Sequence, residues 1–407
     1  MEAVDTKPAL DGAALKVSDY VHLHNHTHHS LLDGLSKIPD LVNHIKDMGM
    51  EAVAMTDHGT MSGTIDFYKS AKAAGVKPVI GMEAYVAARS RHDRDPAKDK
   101  ARYHLILLAM NETGYENLMM LSTKANLEGM YYKPRIDHEL LEKYNEGIIA
   151  LSACASGEVG ENLRNDNYEE AKKVAAWYKS IFGDRYYLEL QDHGHPDCPS
   201  KWDVQVKINQ YLERISKELD IPCVVTSDGH YLSHDDQDAH EILLCVGTGA
   251  FLADEKRMSL KDFELHVTDP QDIINRWSKT NPEAVRNTKR IADRCNVEIE
   301  LGGMLIPRFP VPEGETEKSF LDKLVYRGMA KRYADVDPEK ADAMDVEEIR
   351  PLLSQEQVER LDMELGVLDN MGYNGYFLIV QDFINWGKSR GIIFGPGRGS
   401  AAGSIIA

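Results

Sequence analysis

Five of the sixteen histidines fall between residues 22 and 29: His22, His24, His26, His28 and His29, in the run VHLHNHTHHSLLDG. On an extended segment alternate side chains share a face, so His22, His24 and His26 are expected to converge. Imidazoles crowded in this way are poor core material, because each buried ring needs partners for two nitrogens. Metal coordination meets that need. A solvated histidine-rich loop is the other reading. Further donor-type side chains stand beside apolar runs. These are Asp57 and His58 in AMTDHG, Glu83 in PVIGMEAYV, His104 in RYHLILLA, Cys154 in IIALSACASG, and Asp228 and His230 in VVTSDGHYL. Any one of them alone reads as a core or capping residue. Their common placement near strand ends is what points to a shared site.

The expected ligands are His24, His26, Asp33, His58, Glu83, His104, Cys154, Asp228 and His230. These nine donors exceed the four of a structural zinc site. Two or three ions fit them better, with Glu83 as the bridging carboxylate. Ions roughly 3.5–4 Å apart suit phosphoester hydrolysis, activating water and holding phosphate oxygens. Mixed imidazole, carboxylate and thiolate donors favour Zn²⁺ or Mn²⁺ over Mg²⁺. Asp57 is expected to orient a ligand histidine. His22, His28 and His29 are expected to stand behind the ligands or face a substrate.

Positioning such a set requires strands. Apolar runs predict strands at Tyr20–His24, Ala52–Thr56, Pro78–Ala84, His104–Ala109, Gly147–Ser152, Tyr186–Leu190 and Cys223–Thr226. Between them, helical spacing predicts helices at Ile38–Asp47, Gly63–Ala74, Gly114–Ala125, Tyr168–Ile181 and Lys201–Leu219. Alternating strand and helix implies an α/β fold with a parallel sheet, and seven strands suggest a closed barrel. In such a barrel the C-terminal strand ends form one rim, where active sites are built. A helix is expected at Ala284–Arg294. The breakers Gly302, Gly303, Pro307, Pro310, Pro312 and Gly314 then mark a boundary. The expected organisation is a tail over 1–18, the barrel domain over 19–285, a linker over 286–316 and a further domain over 317–407. Helices are expected in that last part at Glu317–Tyr333 and Gln355–Asn370. Residues Ala401–Ala407 read as a helix just begun, so the chain is expected to be a piece of a longer protein.

Composition narrows the function classes. Lys and Arg total 47 against 66 Asp and Glu, a net charge of −19. Nucleic acid would have to be met by a local basic patch or by metal ions. The five cysteines (Cys154, Cys198, Cys223, Cys245 and Cys295) are widely spaced and form no CxxC pair, which fits a reducing compartment. No signal peptide or membrane span is visible. A cytoplasmic protein is expected.

The motifs HLHNHT, TDHG, GMEAYV, YHLILL, LSACASG and SDGHYL resemble the PHP (polymerase and histidinol phosphatase) superfamily. SLLDG, GVKPVIGMEAY, MYYKPRID and GYFLIVQDFINWGKSRGIIFGPGRGSAAGS are similar to the alpha-subunit family of bacterial replicative DNA polymerase III. The resemblance implies a distorted seven-stranded (β/α) PHP barrel followed by an α+β partial polymerase palm. It implies a DNA-directed DNA polymerase as the full-length protein, and a metal-dependent 3′→5′ exonuclease in the PHP domain. It also implies DNA, a proofreading exonuclease, a sliding clamp and a clamp loader as partners. Two other readings stay open: a free-standing PHP phosphatase for a small phosphate ester, and a non-catalytic scaffold.

GPGRGS, with Gly395, Gly397, Arg398, Gly399 and Ser400, crowds glycines before an expected helix, an arrangement that can cradle a phosphate. A plain loop is the alternative. By resemblance it is the palm loop that contacts the incoming nucleotide's triphosphate. The carboxylates that hold Mg²⁺ for nucleotidyl transfer lie beyond it in the family. Primer extension by the 407-residue chain is therefore not expected, and detecting it would overturn that expectation. In YYKPR, Lys133 and Arg135 stand beside two tyrosines and could grip a phosphate while a base stacks. An ordinary exposed loop is the alternative there.

Overall fold

The helix Ile38–Asp47 turns Ile38, Leu41, Val42 and Ile45 inward at helical spacing, and all four are buried against the sheet. In the computed structural model, which describes residues 14–194, 202–303 and 305–407, the same logic holds for most elements. The helices Thr64–Ala74, Glu112–Leu127, Tyr168–Phe182, Trp202–Leu219 and Pro282–Arg294 form where the apolar spacing predicts them. Two compact units result, residues 1–299 and 300–407.

Among its described residues the first unit has eight strands: β1 (Ala52–Met55), β2 (Lys77–Ala87), β3 (Arg102–Ala109), β4 (Met130–Tyr131), β5 (Lys133–Ile136), β6 (Ile148–Leu151), β7 (Tyr186–Gln191) and β8 (Cys223–Thr226). The main path runs β4-β5-β2-β3-β6-β7-β8, and β1 pairs with β2. The expected first strand, Tyr20–His24, forms no ladder. His22 bridges Val53 of β1, and Asn25 bridges Gly229 just past β8. Asn25 explains the interruption: its Nδ2 donates to Ala54 O at 3.0 Å, the acceptor the next ladder bond would use, while His22 O keeps its bond from Ala54 N at 2.8 Å. The two bridges link the sheet's free edges, so pairing runs around a distorted ring of seven members.

The sheet is not uniformly parallel. β3 pairs antiparallel with both β2 and β6. This reversal places His104, near the start of β3, level with Tyr85 near the end of β2. A residue at the beginning of a strand thereby reaches the rim that the other strands meet with their ends. Side-chain alternation does the rest. On β2 the face that carries Val79 continues to Gly81 and Glu83. On β3 the face of Ile106 and Leu108 continues to His104. Val79, Ile106 and Leu108 pack in one apolar cluster, which Ile291, Ala292 and Cys295 also join. Those last contacts correct the expected linker. Residues from 286 to 299 pack on the barrel, and the division falls at residues 299/300.

The hairpin of β4 and β5 is not visible as apolar periodicity. It is fixed instead by Arg135, whose side chain is buried. Its Nε donates to Gly129 O (3.1 Å), Nη1 to Asp99 O (3.2 Å), and Nη2 to Arg91 O (3.0 Å) and Asp93 O (2.9 Å). Arg135 is therefore a structural staple and not a phosphate ligand: its donors already serve four carbonyls. Arg135→Ala removes the side-chain donor from the carbonyls of Arg91, Asp93 and Asp99 and leaves a cavity, while Gly129 O keeps the backbone N–H of residue 135. A loss of about 3–5 kcal/mol is expected in a urea unfolding curve.

The second unit is helical. Thr316 caps the helix Glu317–Tyr333 through a box with Ser319, and Leu321, Tyr326, Met329 and Ala330 enter a core with Leu361, Leu365 and Leu378. No strand forms among its described residues, so the α+β character expected of 317–407 is present only as its helices. The segment GPGRGS is exposed. A five-residue 3₁₀ turn, Gly399–Gly403, begins within it and runs into the stretch where a helix was expected. The carboxylate of Glu364 accepts from Ser404 Oγ and from the amides of Ile405 and Ile406, which ties the chain end down. Met304, Cys198 and Lys201 lie outside the described residues, as do residues 1–13 of the expected tail.

Candidate metal centre

The rim brings the nine expected donors together on the first unit. Glu83, near the end of β2, stands at the middle. Its Oε1 lies 2.9 Å from His104 Nδ1 and 3.4 Å from His24 Nε2. Its Oε2 touches His58 Nδ1 and lies 3.7 Å from His26 Nε2. Asp33 Oδ2 is 3.0 Å from His58 Nε2, and Cys154 Sγ is 3.6 Å from His104 Nδ1. Asp228 Oδ1 lies 3.1 Å from His24 Nε2, 3.2 Å from His26 Nε2 and 3.5 Å from His230 Nδ1. Three overlapping trios have donor atoms close enough to share an ion: His24, His26 and Asp228; His26, His58 and His230; and His58, Glu83 and His104.

Local chemistry aims these atoms. Asp57 accepts from Thr27 N, Thr27 Oγ1 and Ser30 Oγ. Ser30 Oγ, having given its proton to Asp57, accepts from His26 Nδ1 at 3.0 Å. Asp57 thus orients His26 through Ser30, and the Nε2 lone pair of His26 faces the centre. His24 Nδ1 donates to Glu189 Oε1 at 2.7 Å, and His230 Nδ1 to the carbonyl of Asp228 at 2.8 Å. His240 Nε2 donates to Asp33 O at 2.8 Å and holds the loop that presents Asp33. Backbone strain gathers at the same rim. Leu32, Ala153 and Asp228 all have positive φ, at 72°, 60° and 53°. Gly59, at φ 61°, lets the loop after His58 pass within van der Waals reach of Pro134 and Tyr85, where a Cβ would stand about 3.0 Å from both.

The donor set fits divalent ions better than it fits itself. His24 Nε2 and His26 Nε2 face each other at 3.1 Å and can share only one proton. That proton leaves Asp228 Oδ1 buried without a hydrogen bond, and both carboxylate oxygens of Glu83 are in the same state. Buried polar atoms are seldom left so. A cation satisfies all of them at once. The charge balance agrees. Burial would push Glu83 and Asp228 up. The imidazoles of His104 and His58 overcome this for Glu83, as His24 and His230 do for Asp228, and both carboxyls sit well below the usual range. Burial opposes charge on His58 and His104, yet Glu83 raises both to about 10. Burial pushes His26 down to about 3, with His58 and His230 adding to the shift. Without metal, protons on His24, His58 and His104 hold the positive charge that the carboxylates require. A metal ion held by Glu83, Asp228 and the histidines would supply that charge instead.

A cavity of about 440 Å³ opens over the centre, with His58, His104, Cys154 and His230 in its floor and Phe263 and Leu265 in its wall. His193 also lines it. This ring is buried, its Nδ1 has no partner among the described residues, and burial lowers it to about 4. His193, Glu189, Ser30 and His240 were not singled out in the sequence, although His193 follows β7 just as Asp228 follows β8. His22 departs from expectation. Its Nε2 donates to Thr268 O at 2.9 Å and its Nδ1 lies 3.2 Å from Ser227 Oγ, away from the centre. His29 Nδ1 pairs with Ser62 Oγ at 3.0 Å, and the His28 ring packs on His29.

Sheet and site together make a rim of clustered metal-type donors, and residues 22–193 match the PHP domain family. Residues 319–407 match the family described as the bacterial DNA polymerase III alpha NTPase domain. Over nearly its whole length the chain is similar to DNA polymerase III alpha subunits. It is 44% identical over 391 residues to DNA polymerase III subunit alpha of Treponema pallidum, covering 95% of this chain and 31% of that one. It is 39% identical over 442 residues to the subunit of Thermus aquaticus, covering 97% of this chain and 35% of that one. The chain therefore spans about a third of the length of these curated relatives. One solved structure, an amidohydrolase from Chromobacterium violaceum, is similar at 12% identity and a TM-score of 0.35, covering 52% of this chain and 87% of that one. No helix among the described residues is long and apolar enough to cross a membrane.

Proposed function

We propose that the rim holds two or three divalent ions, Zn²⁺ or Mn²⁺, and hydrolyses phosphodiesters at the 3′ end of a DNA strand. The ligands are the nine donors His24, His26, Asp33, His58, Glu83, His104, Cys154, Asp228 and His230, with Glu83 bridging. One observation carries the reading: Asp228 Oδ1, His24 Nε2 and His26 Nε2 converge within 3.2 Å of one another, and a single proton cannot satisfy them. When bound, such ions polarise phosphate oxygens and acidify water. The chain supplies the rest. Glu189 and the Asp57–Ser30 pair fix the two histidine rings, and the cavity limits access to one strand end. Donor softness supports Zn²⁺ or Mn²⁺, since imidazole and thiolate are poor Mg²⁺ ligands.

In the longer protein this centre serves a DNA-directed DNA polymerase, as the names of the relatives indicate. DNA and other replication subunits are the partners. GPGRGS, with Gly395, Gly397, Arg398, Gly399 and Ser400, contacts the nucleotide's triphosphate. The test is hydrolysis of a 3′-mismatched primer, single-stranded DNA and a small phosphate ester with added Zn²⁺ or Mn²⁺. The primer and the single strand are expected to be shortened from the 3′ end. Asp228→Asn is expected to abolish this with circular dichroism unchanged. Cleavage of the small ester alone would replace this reading with a phosphatase. Metal binding without any hydrolysis would replace it with a scaffold.

A further inference from the structure

The hairpin of β4 and β5 reverses at one residue. Tyr131 pairs with Lys133, and Tyr132 between them sits at φ 61° with its side chain 70% exposed. A bulky residue rarely takes this conformation, and such strain is kept where function uses it. The hairpin stands beside the metal centre. β5 pairs with the end of β2 at Tyr85 and Arg135. The Tyr85 ring in turn lies 5.9 Å from the His58 ring and 5.3 Å from the His104 ring. Two cations attend that same tyrosine: Lys133 Nζ and Arg102 Cζ are each 5.7 Å from its centroid. Arg102 opens β3 two residues before His104. Its one hydrogen bond among the described residues is to the carbonyl of Lys100, at 3.4 Å. Neither cation has a carboxylate partner there, although the chain carries 66 acidic residues against 47 basic ones. Two unpaired cations and an exposed aromatic next to a phosphodiester-cleaving centre lack only an anion and a flat ring.

We infer that Tyr132, Lys133 and Arg102 seat a single-stranded nucleic acid at the mouth of the centre. A base stacks on Tyr132, and backbone phosphates meet Lys133 and Arg102. The strand end is thereby delivered to the side of the centre formed by His58, Glu83 and His104. The inference rests on the proposed phosphodiesterase reading, and the test separates the two by measuring binding without turnover. Fluorescence anisotropy of a 5′-labelled oligothymidylate is followed with the full chain in EDTA over a salt series. Tyr132→Gly keeps the fold, because glycine takes positive φ freely. It is expected to weaken binding about 5- to 150-fold, the range for one lost base–aromatic stack. Lys133→Gln combined with Arg102→Gln is expected to reduce the slope of log K against log salt by about 1.4, or about 0.7 per phosphate. Lys279→Gln, an exposed cation elsewhere, is the control and is expected to change neither quantity. Thermal melts confirm folding of each variant. No binding by the parent, equal binding by Tyr132→Gly and the parent, or an equal loss in Lys279→Gln overturns the inference. Failure of the phosphodiesterase reading shows differently, as a chain that binds the strand and never shortens it with Zn²⁺ or Mn²⁺.

Discussion

Glu83→Gln is expected to lower metal-dependent hydrolysis by at least about a hundredfold, more than the ten- to hundredfold typical of losing a partner behind a ligand. The same variant should fold as well as the parent without metal. Both expectations follow from one geometry. Glu83 is buried, and four imidazoles surround its two oxygens. The carboxylate draws protons onto His58 and His104 when no metal is present. An amide removes that charge and offers N–H donors to the same ring nitrogens, so the empty pocket tolerates it. It can no longer bridge two cations. Melting in EDTA should therefore match the parent or exceed it, while the rise in Tm on adding Zn²⁺ or Mn²⁺ should largely disappear. Full activity in Glu83→Gln would remove the carboxylate from its bridging role.

Stripping the metal from the parent chain should lower the Tm of its first unit by roughly 6–7 °C. An ion present at a thousand times its dissociation constant adds about 4 kcal/mol to the folded state. At about 2.1 cal/mol/K per residue, each kcal/mol is worth about 1.6 °C in a unit of residues 1–299. The proposed ligands come from His24 through His230, so their capture joins distant parts of the ring. A differential melt with and without EDTA reads the effect. The second unit carries none of the nine donors, and its transition should not move. Equal Tm values for the first unit in both conditions would show that no ion is held there.

Much of this centre is legible in the sequence, because its donors sit beside strands whose apolar runs are plain. Glu83 follows PVIGM, and Asp228 follows CVVTS. Alternation then decides the face, and strand ends decide the rim. What stays hidden depends on partners far apart in the chain. Glu189 reads as one more residue in YYLELQ, and only its contact with His24, 165 positions away, gives it a role. His193 and His240 are hidden for the same reason. The reversal of β3 is illegible because antiparallel and parallel neighbours both bury runs such as LILLA. Arg135 misleads because arginine beside tyrosine normally signals a surface, and here four backbone carbonyls hold it inside. His22 misleads in the opposite sense. The alternation rule assumes a regular strand, and the side chain of Asn25 breaks the ladder before the rule can apply.

The most direct measurement is anomalous diffraction from crystals of metal-replete protein, recorded on either side of the zinc and manganese absorption edges. The account predicts two or three peaks about 3.5–4 Å apart, ringed by His24, His26, His58, Glu83, His104 and Asp228, with Cys154 and His230 in reach. An absence of peaks at that rim, with those side chains standing as neighbours around ordered water, would contradict it.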